Sequence, residues 1–88
     1  MAEDANKRLG ILIASWREGA GLSQASLAEA LHITQATVSK LESGVCKLGV
    51  VQLVEILDAC GMRLADVADE VEEASGKEAR PLWERIDE

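Results

Sequence analysis

Tyrosine and phenylalanine are missing from this chain altogether, and Trp16 and Trp83 are its only aromatic residues. Strands draw heavily on aromatic side chains, so this shortage, in a 48% hydrophobic composition rich in Leu, Ile, Val and Ala, favours an all-α fold over a sheet. It also removes the platform of several aromatics on which single-stranded nucleic acids stack. Cysteine is scarce as well: Cys46 and Cys60 are too few for a disulfide framework and lack the paired spacing of a zinc site. Two reduced thiols in a cytoplasmic protein are expected, with no metal and no cofactor. The single histidine, His32, falls where a turn is expected and reads as conformational rather than catalytic. Long apolar runs are absent too. The stretch "ILIASW" is too short to span a membrane and is interrupted in the wrong way for a secretory signal. No paired carboxylates, nucleophile with its base, or phosphate loop stands out, so an enzyme is not expected. Finally, cations are few: nine Lys and Arg face sixteen Asp and Glu, for a formal net charge of -7 and a pI near 4.6. Taken alone, that balance argues against a polyanionic partner.

What is present is helical periodicity. A chain of 88 residues has room for one domain with a modest core. Leu9, Leu12, Ile13 and Trp16 fall at i, i+3, i+4 and i+7 and predict a first helix from about Asp4 to Glu18, stopped by "GAG". Ser23 then caps a short second helix with Leu27, Ala28 and Leu31 inward. Thr34 caps a third, which buries Val38 and Leu41 and ends at Gly44. A fourth is expected to place Val50, Leu53, Val54, Leu57 and Cys60 inward, and a fifth, from about Leu64 to Glu73, carries Leu64, Val67, Ala68 and Val71 on one stripe. Residues 1–73 form the expected domain. Residues 74–88 read as an acidic tail broken by Gly76 and Pro81, with Leu82, Trp83 and Ile86 on one side of a short turn. An exposed cluster of that kind is costly unless something covers it, which makes the tail a candidate contact for a second protomer or another protein, beside docking onto the chain's own fourth or fifth helix.

Helices two and three, joined only by His32 and Ile33, form a helix-turn-helix pattern, "SQASLAEALHITQATVSKLESG". The small Ala28 sits where the two helices must approach closely, and Gln35, Ala36, Thr37, Ser39 and Lys40 are left on the outer face of the third. Together with "WREGAGLSQASLAEAL" and "LVEILDACGMRL", the pattern resembles the lambda-repressor-like, Cro/phage-repressor (XRE) family of DNA-binding domains over about Leu9 to Val67. The resemblance implies a compact five-helix fold and a role for each matching position. Gln35, Ala36, Thr37, Ser39 and Lys40 would read bases, while Gln24, Thr34, Ser43 and Lys47 would contact phosphates. Arg17 and Glu42 would pair to tie the first helix to the third. Two departures stand out: His32 occupies a position where the family most often has Gly in a left-handed turn, and "VCKLG" supplies only Lys47 where the family usually has several cations.

The negative charge is unevenly placed. Residues 1–66 carry a net charge of -2 and residues 67–88 a net of -5, and from Thr34 to Ser43 the only acid is Glu42. The expected function is therefore a transcriptional regulator, a repressor by family analogy. It would bind a palindromic operator in double-stranded DNA as a homodimer joined through helices four and five; a restriction-modification controller protein belongs to the same class. The alternative is an antitoxin-like or adaptor protein whose Trp83-bearing tail binds a protein partner while the domain autoregulates its operon.

Overall fold

Three side chains punctuate the first half of the chain by accepting backbone N–H groups that a helix start leaves unpaired. Asp4 accepts from Lys7 N at 2.8 Å, Ser23 from Ser26 N at 3.0 Å, and Thr34 from Thr37 N at 3.1 Å. The computed structural model describes residues 4–76. Among them the three caps open helices α1 (Ala5–Gly19), α2 (Gln24–Leu31) and α3 (Gln35–Ser43), followed by α4 (Val50–Ala59) and α5 (Leu64–Ser75). The described residues contain no strand, and none of these helices is long and apolar enough to cross a membrane. In α4 and α5 the reciprocal half of a capping box does the same work: Gln52 Oε1 accepts from Gly49 N and Asp66 Oδ2 from Arg63 N.

The core joins Ile13 and Trp16 of α1 to Leu27 and Ala28 of α2, Val38 and Leu41 of α3, Leu53, Ile56 and Leu57 of α4, and Val67 of α5. Helix α1 packs against both α3 and α5, and α2 against both α3 and α4. Two polar ties hold the α1–α5 seam: Trp16 Nε1 donates to Glu70 Oε1 at 3.0 Å, and Arg8 Nε to the Ala74 carbonyl at 2.6 Å. The second tie shows why α5 continues past the expected end at Glu73. Ala74 is buried, and the helix stops only at Gly76, whose positive φ ends it. Leu82, Trp83 and Ile86 lie outside the described residues.

Two expected faces are corrected. Val50 and Val54 do not point inward; they are 71% and 44% exposed, and Ile56 takes the core position instead. The stripe that packs is Leu53, Ile56, Leu57 and, half-buried, Cys60, at i, i+3, i+4 and i+7, which leaves the first turn of α4 overhanging the core. Leu64, the first residue of α5, is likewise exposed rather than buried.

At two glycines the fold brings one backbone directly against another. A Cβ on Gly10 would fall on the Glu42 carbonyl and lie 2.7 Å from the Leu41 oxygen, so α1 meets α3 where α1 has no side chain. One turn away, a Cβ on Gly44 would meet Lys7 Cα at 2.6 Å, at a residue that already needs its positive φ to end α3. Replacing Gly10 by Ala should therefore destabilise the protein by about 3 kcal/mol through overpacking. The same change at Gly19, where an added Cβ meets nothing within 4 Å, should stabilise it by up to about 1 kcal/mol through helix propensity. Urea unfolding of the two variants measures both, and equal effects would contradict the close approach.

Candidate nucleic-acid interface

The α2–α3 corner is closed by an unusual residue. His32 adopts φ 59 and ψ 40, the only positive φ on a non-glycine among the described residues. A left-handed conformation strains a residue with a Cβ. It is held because the following N–H of Ile33 reaches back to the Ala28 carbonyl at 3.0 Å while Ile33 itself packs against the core. Ala28 is buried at this corner, where a larger side chain would push the helices apart.

Helix α3 then sorts its side chains by face. Val38 and Leu41 go inward, while Gln35, Ala36, Ser39 and Lys40 are exposed together. Thr37, grouped with them from the sequence, is half-buried, and its hydroxyl is hydrogen-bonded to that of Thr34 at 2.9 Å. The Thr34–Thr37 pair thus has one hydroxyl proton left for an external acceptor. Ser43 donates its only hydroxyl proton to the Lys40 carbonyl, so it must rotate before it can give a hydrogen bond to a phosphate. Lys47 stands exposed in the loop after α3.

Glu42, the one acid on α3, is turned away from this face and gripped from two helices. From α1, Arg17 binds it with two nitrogens, Nε to Oε2 at 2.6 Å and Nη2 to Oε1 at 3.2 Å. From α2, Gln24 Nε2 donates to Oε1 at 2.9 Å. The pair is covered, with side chains 11% and 8% accessible, and the hydrogen bond to Glu42 pushes the Arg17 pKa further up, keeping the guanidinium charged. Arg17 Nη1 also donates to the Leu22 carbonyl at 2.9 Å, pinning the α1–α2 turn. The pairing of Arg17 with Glu42 was expected from the resemblance, but the place of Gln24 in the same cluster was not: spacing alone gives no sign that an amide in α2 will reach a carboxylate 18 residues on. One of its N–H groups is spent there, and the other N–H and the amide oxygen stay free for a further partner.

A shallow depression on the same side of the molecule joins Gln24, Ser39 and Ser43 to Ser15 and Glu18 near the end of α1. Glu18 was overlooked in the sequence because its own helix gives it no special position. Only the packing of α1 against α3 brings it beside these residues.

Comparison with known proteins gives the family and the fold. A family profile described as a helix-turn-helix domain matches residues 8–71. Among solved structures, the clp gene regulator ClgR from Corynebacterium glutamicum is similar in two crystal structures, each with a TM-score of 0.73. One is 27% identical and covers 86% of this chain and 100% of its own; the other is 26% identical and covers 97% and 88%. No match was found among functionally curated proteins.

Removing Arg17 leaves Glu42 with Gln24 alone. The Arg17→Met variant should lose about 2 kcal/mol of stability, between the values for exposed and deeply buried pairs. Denaturant unfolding at neutral pH measures this, and a wild-type midpoint would show that the pair contributes nothing to the fold.

Proposed function

The chain belongs to the helix-turn-helix domain family, and we propose that it is a sequence-specific regulator of transcription that binds double-stranded DNA through α3. The observation that carries this reading is the acid-free outer face of α3, where Gln35, Ala36, Ser39 and Lys40 are exposed side by side. A polar face of this shape, backed by a packed inner face and fixed at its start by a cap, suits insertion into the major groove. Gln35 has the paired donor and acceptor that match an adenine edge, Lys40 the donor that matches guanine, and Ala36 and the Thr37 methyl the apolar surface that matches a thymine methyl. Gln24, Thr34, Ser43 and Lys47 border this face and are assigned to the phosphates. The similarity to ClgR, described as a gene regulator, supports the regulatory role, and repression is the mode we assign.

We assign a homodimer on a palindromic operator, with recognition helices about 34 Å apart in successive major grooves. The support is on α4, where Val50, Val51 and Val54 are 71%, 72% and 44% exposed on its outer side. Three valines on one helix face are an apolar surface of the kind that association covers. Exposed Leu64 at the start of α5 extends the assignment to both helices.

Lys40→Ala and Gln35→Ala should each relax preference at one base pair by about 1–3 kcal/mol. Selection from random duplex DNA reads this directly, and a uniform loss across all sequences would make these residues anchors rather than readers. Val51→Glu should convert the dimer to a monomer in sedimentation analysis. The intact dimer should bind its operator with a log–log salt slope of about -2 to -4, set by Lys47 and Lys40 of each protomer, and the monomer with about half of it. A wild-type protein that sediments as a monomer on and off DNA would remove the dimer assignment.

A further inference from the structure

We infer that Glu18 sets the strength of DNA binding by holding an incompletely compensated negative charge against the backbone path, an inference that rests on the α2–α3 face being the DNA-binding surface. Three observations carry it. The first is position: Glu18 lines the same depression as Gln24, Ser39 and Ser43, the residues assigned to bases and phosphates. The second is exposure, since its side chain is 71% accessible and free to face a phosphate.

The third is incomplete compensation among the described residues, where the only ion pair of Glu18 is a long one to a cation it shares. The nearest cation is Arg17, whose Nη2 lies 3.7 Å from Glu18 Oε2, too far for a hydrogen bond. Arg17 is already engaged by Glu42 through Nε and Nη2 and by the Leu22 carbonyl through Nη1. One guanidinium therefore serves two carboxylates, and Glu42, with the short paired bonds, takes most of its charge. Among the described residues, the lining of the depression includes Glu18 and Glu42 and no Lys or Arg, and the Glu42 carboxylate is the one neutralised by Arg17. The site keeps roughly one net negative charge where the phosphates of a bound duplex must pass.

A charge so placed acts over a short range, because salt screens exposed charges beyond about 8 Å at physiological ionic strength. It therefore penalises the docked complex while leaving distant encounter almost untouched. The penalty falls on every sequence that seats Gln24 and Ser43 on the backbone, so Glu18 tunes affinity and salt dependence and leaves base preference alone. In a chain with few cations, it keeps a single protomer from staying on DNA.

The test compares Glu18→Gln with Asp69→Asn, which removes the same charge from an exposed position on α5. Binding is measured by fluorescence anisotropy over a salt series, on a duplex obtained by selection and on a random-sequence duplex pool. Glu18→Gln should tighten binding to both by about three- to tenfold at low salt, and should make the log–log salt slope more negative by up to about one unit. The ratio of the two affinities should stay constant, and Asp69→Asn should change binding less than about twofold. Unchanged or weaker binding by Glu18→Gln, with wild type still bound to DNA, would overturn this inference alone. An equal gain from Asp69→Asn would overturn it too, because overall charge rather than position would then set affinity. If neither wild type nor variant binds any duplex at low salt, the DNA-binding reading falls and this inference with it. Circular dichroism of the variants checks that the fold is intact.

Discussion

Everything on the outer face of α3 depends on how its inner face is seated on α1. At Gly10 the α1 backbone comes against the Leu41 and Glu42 carbonyls with no side chain between them, and at Gly44 the end of α3 comes against the backbone of Lys7. Contacts between backbones are stiff, because no rotamer change can relax them. The Arg17–Glu42–Gln24 cluster lies beside this seam and adds direction: Arg17 comes from α1, Gln24 from α2, and the carboxylate from α3. Three helices thus share one charged group, and rotating α3 about its own axis would break bonds to both neighbours. That is a demanding arrangement for a covered carboxylate. Its return is a fixed outward orientation for Gln35, Ser39 and Lys40.

The same arrangement explains how an acidic chain can present a face free of acid. Glu42 is drawn inward by Arg17, so the only carboxylate on α3 does not reach the outer side. The acids of α5, namely Asp66, Asp69, Glu70, Glu72 and Glu73, belong to a helix that packs on α1. Across the thickness of α1, about 10 Å, screening at physiological salt removes most of their effect on a ligand at α3. Charge totals therefore say little about this surface, and local neutralisation says much more. Glu18 is the exception, because it combines exposure with a place on the α3 side.

Legibility in the sequence followed the range of the interaction. Ser23 and Thr34 were readable as caps because a cap acts within three residues of itself, and the structure adds Asp4, which the sequence had marked only as the start of the first helix. That a tight turn falls at His32 and Ile33 was legible from the lack of room between two short helices, while its left-handed conformation was legible only through family resemblance. The inner residues Ile13, Trp16, Leu27, Val38, Leu41 and Leu57 followed from periodicity. What failed was the face of α4, since a helix rich in aliphatics offers more than one apolar stripe and only the partner helices choose between them. The sequence was silent about the close approach at Gly10, the bond from Gln24 to Glu42 and the place of Glu18, because each depends on two helices meeting. The pairing of Arg17 with Glu42 was legible only through family resemblance.

The misread face of α4 also bears on why the proposed regulator would work as a pair. With Lys47 alone in the loop after α3 and Glu18 opposing the backbone, each protomer has little electrostatic attraction to offer. Affinity would then lean more on base contacts, which are lost on wrong sequences. Joining two such protomers makes the second docking step intramolecular, so modest contacts are used twice at a high effective concentration. The association that accomplishes this needs apolar surface outside the core, and Val50, Val51 and Val54 are such a surface. A first turn of α4 that packed inward would have improved the monomer and removed the surface proposed for pairing. On the proposed reading the overhanging valines and the scarcity of cations go together, because a weak half-site reader would need a second copy to hold on.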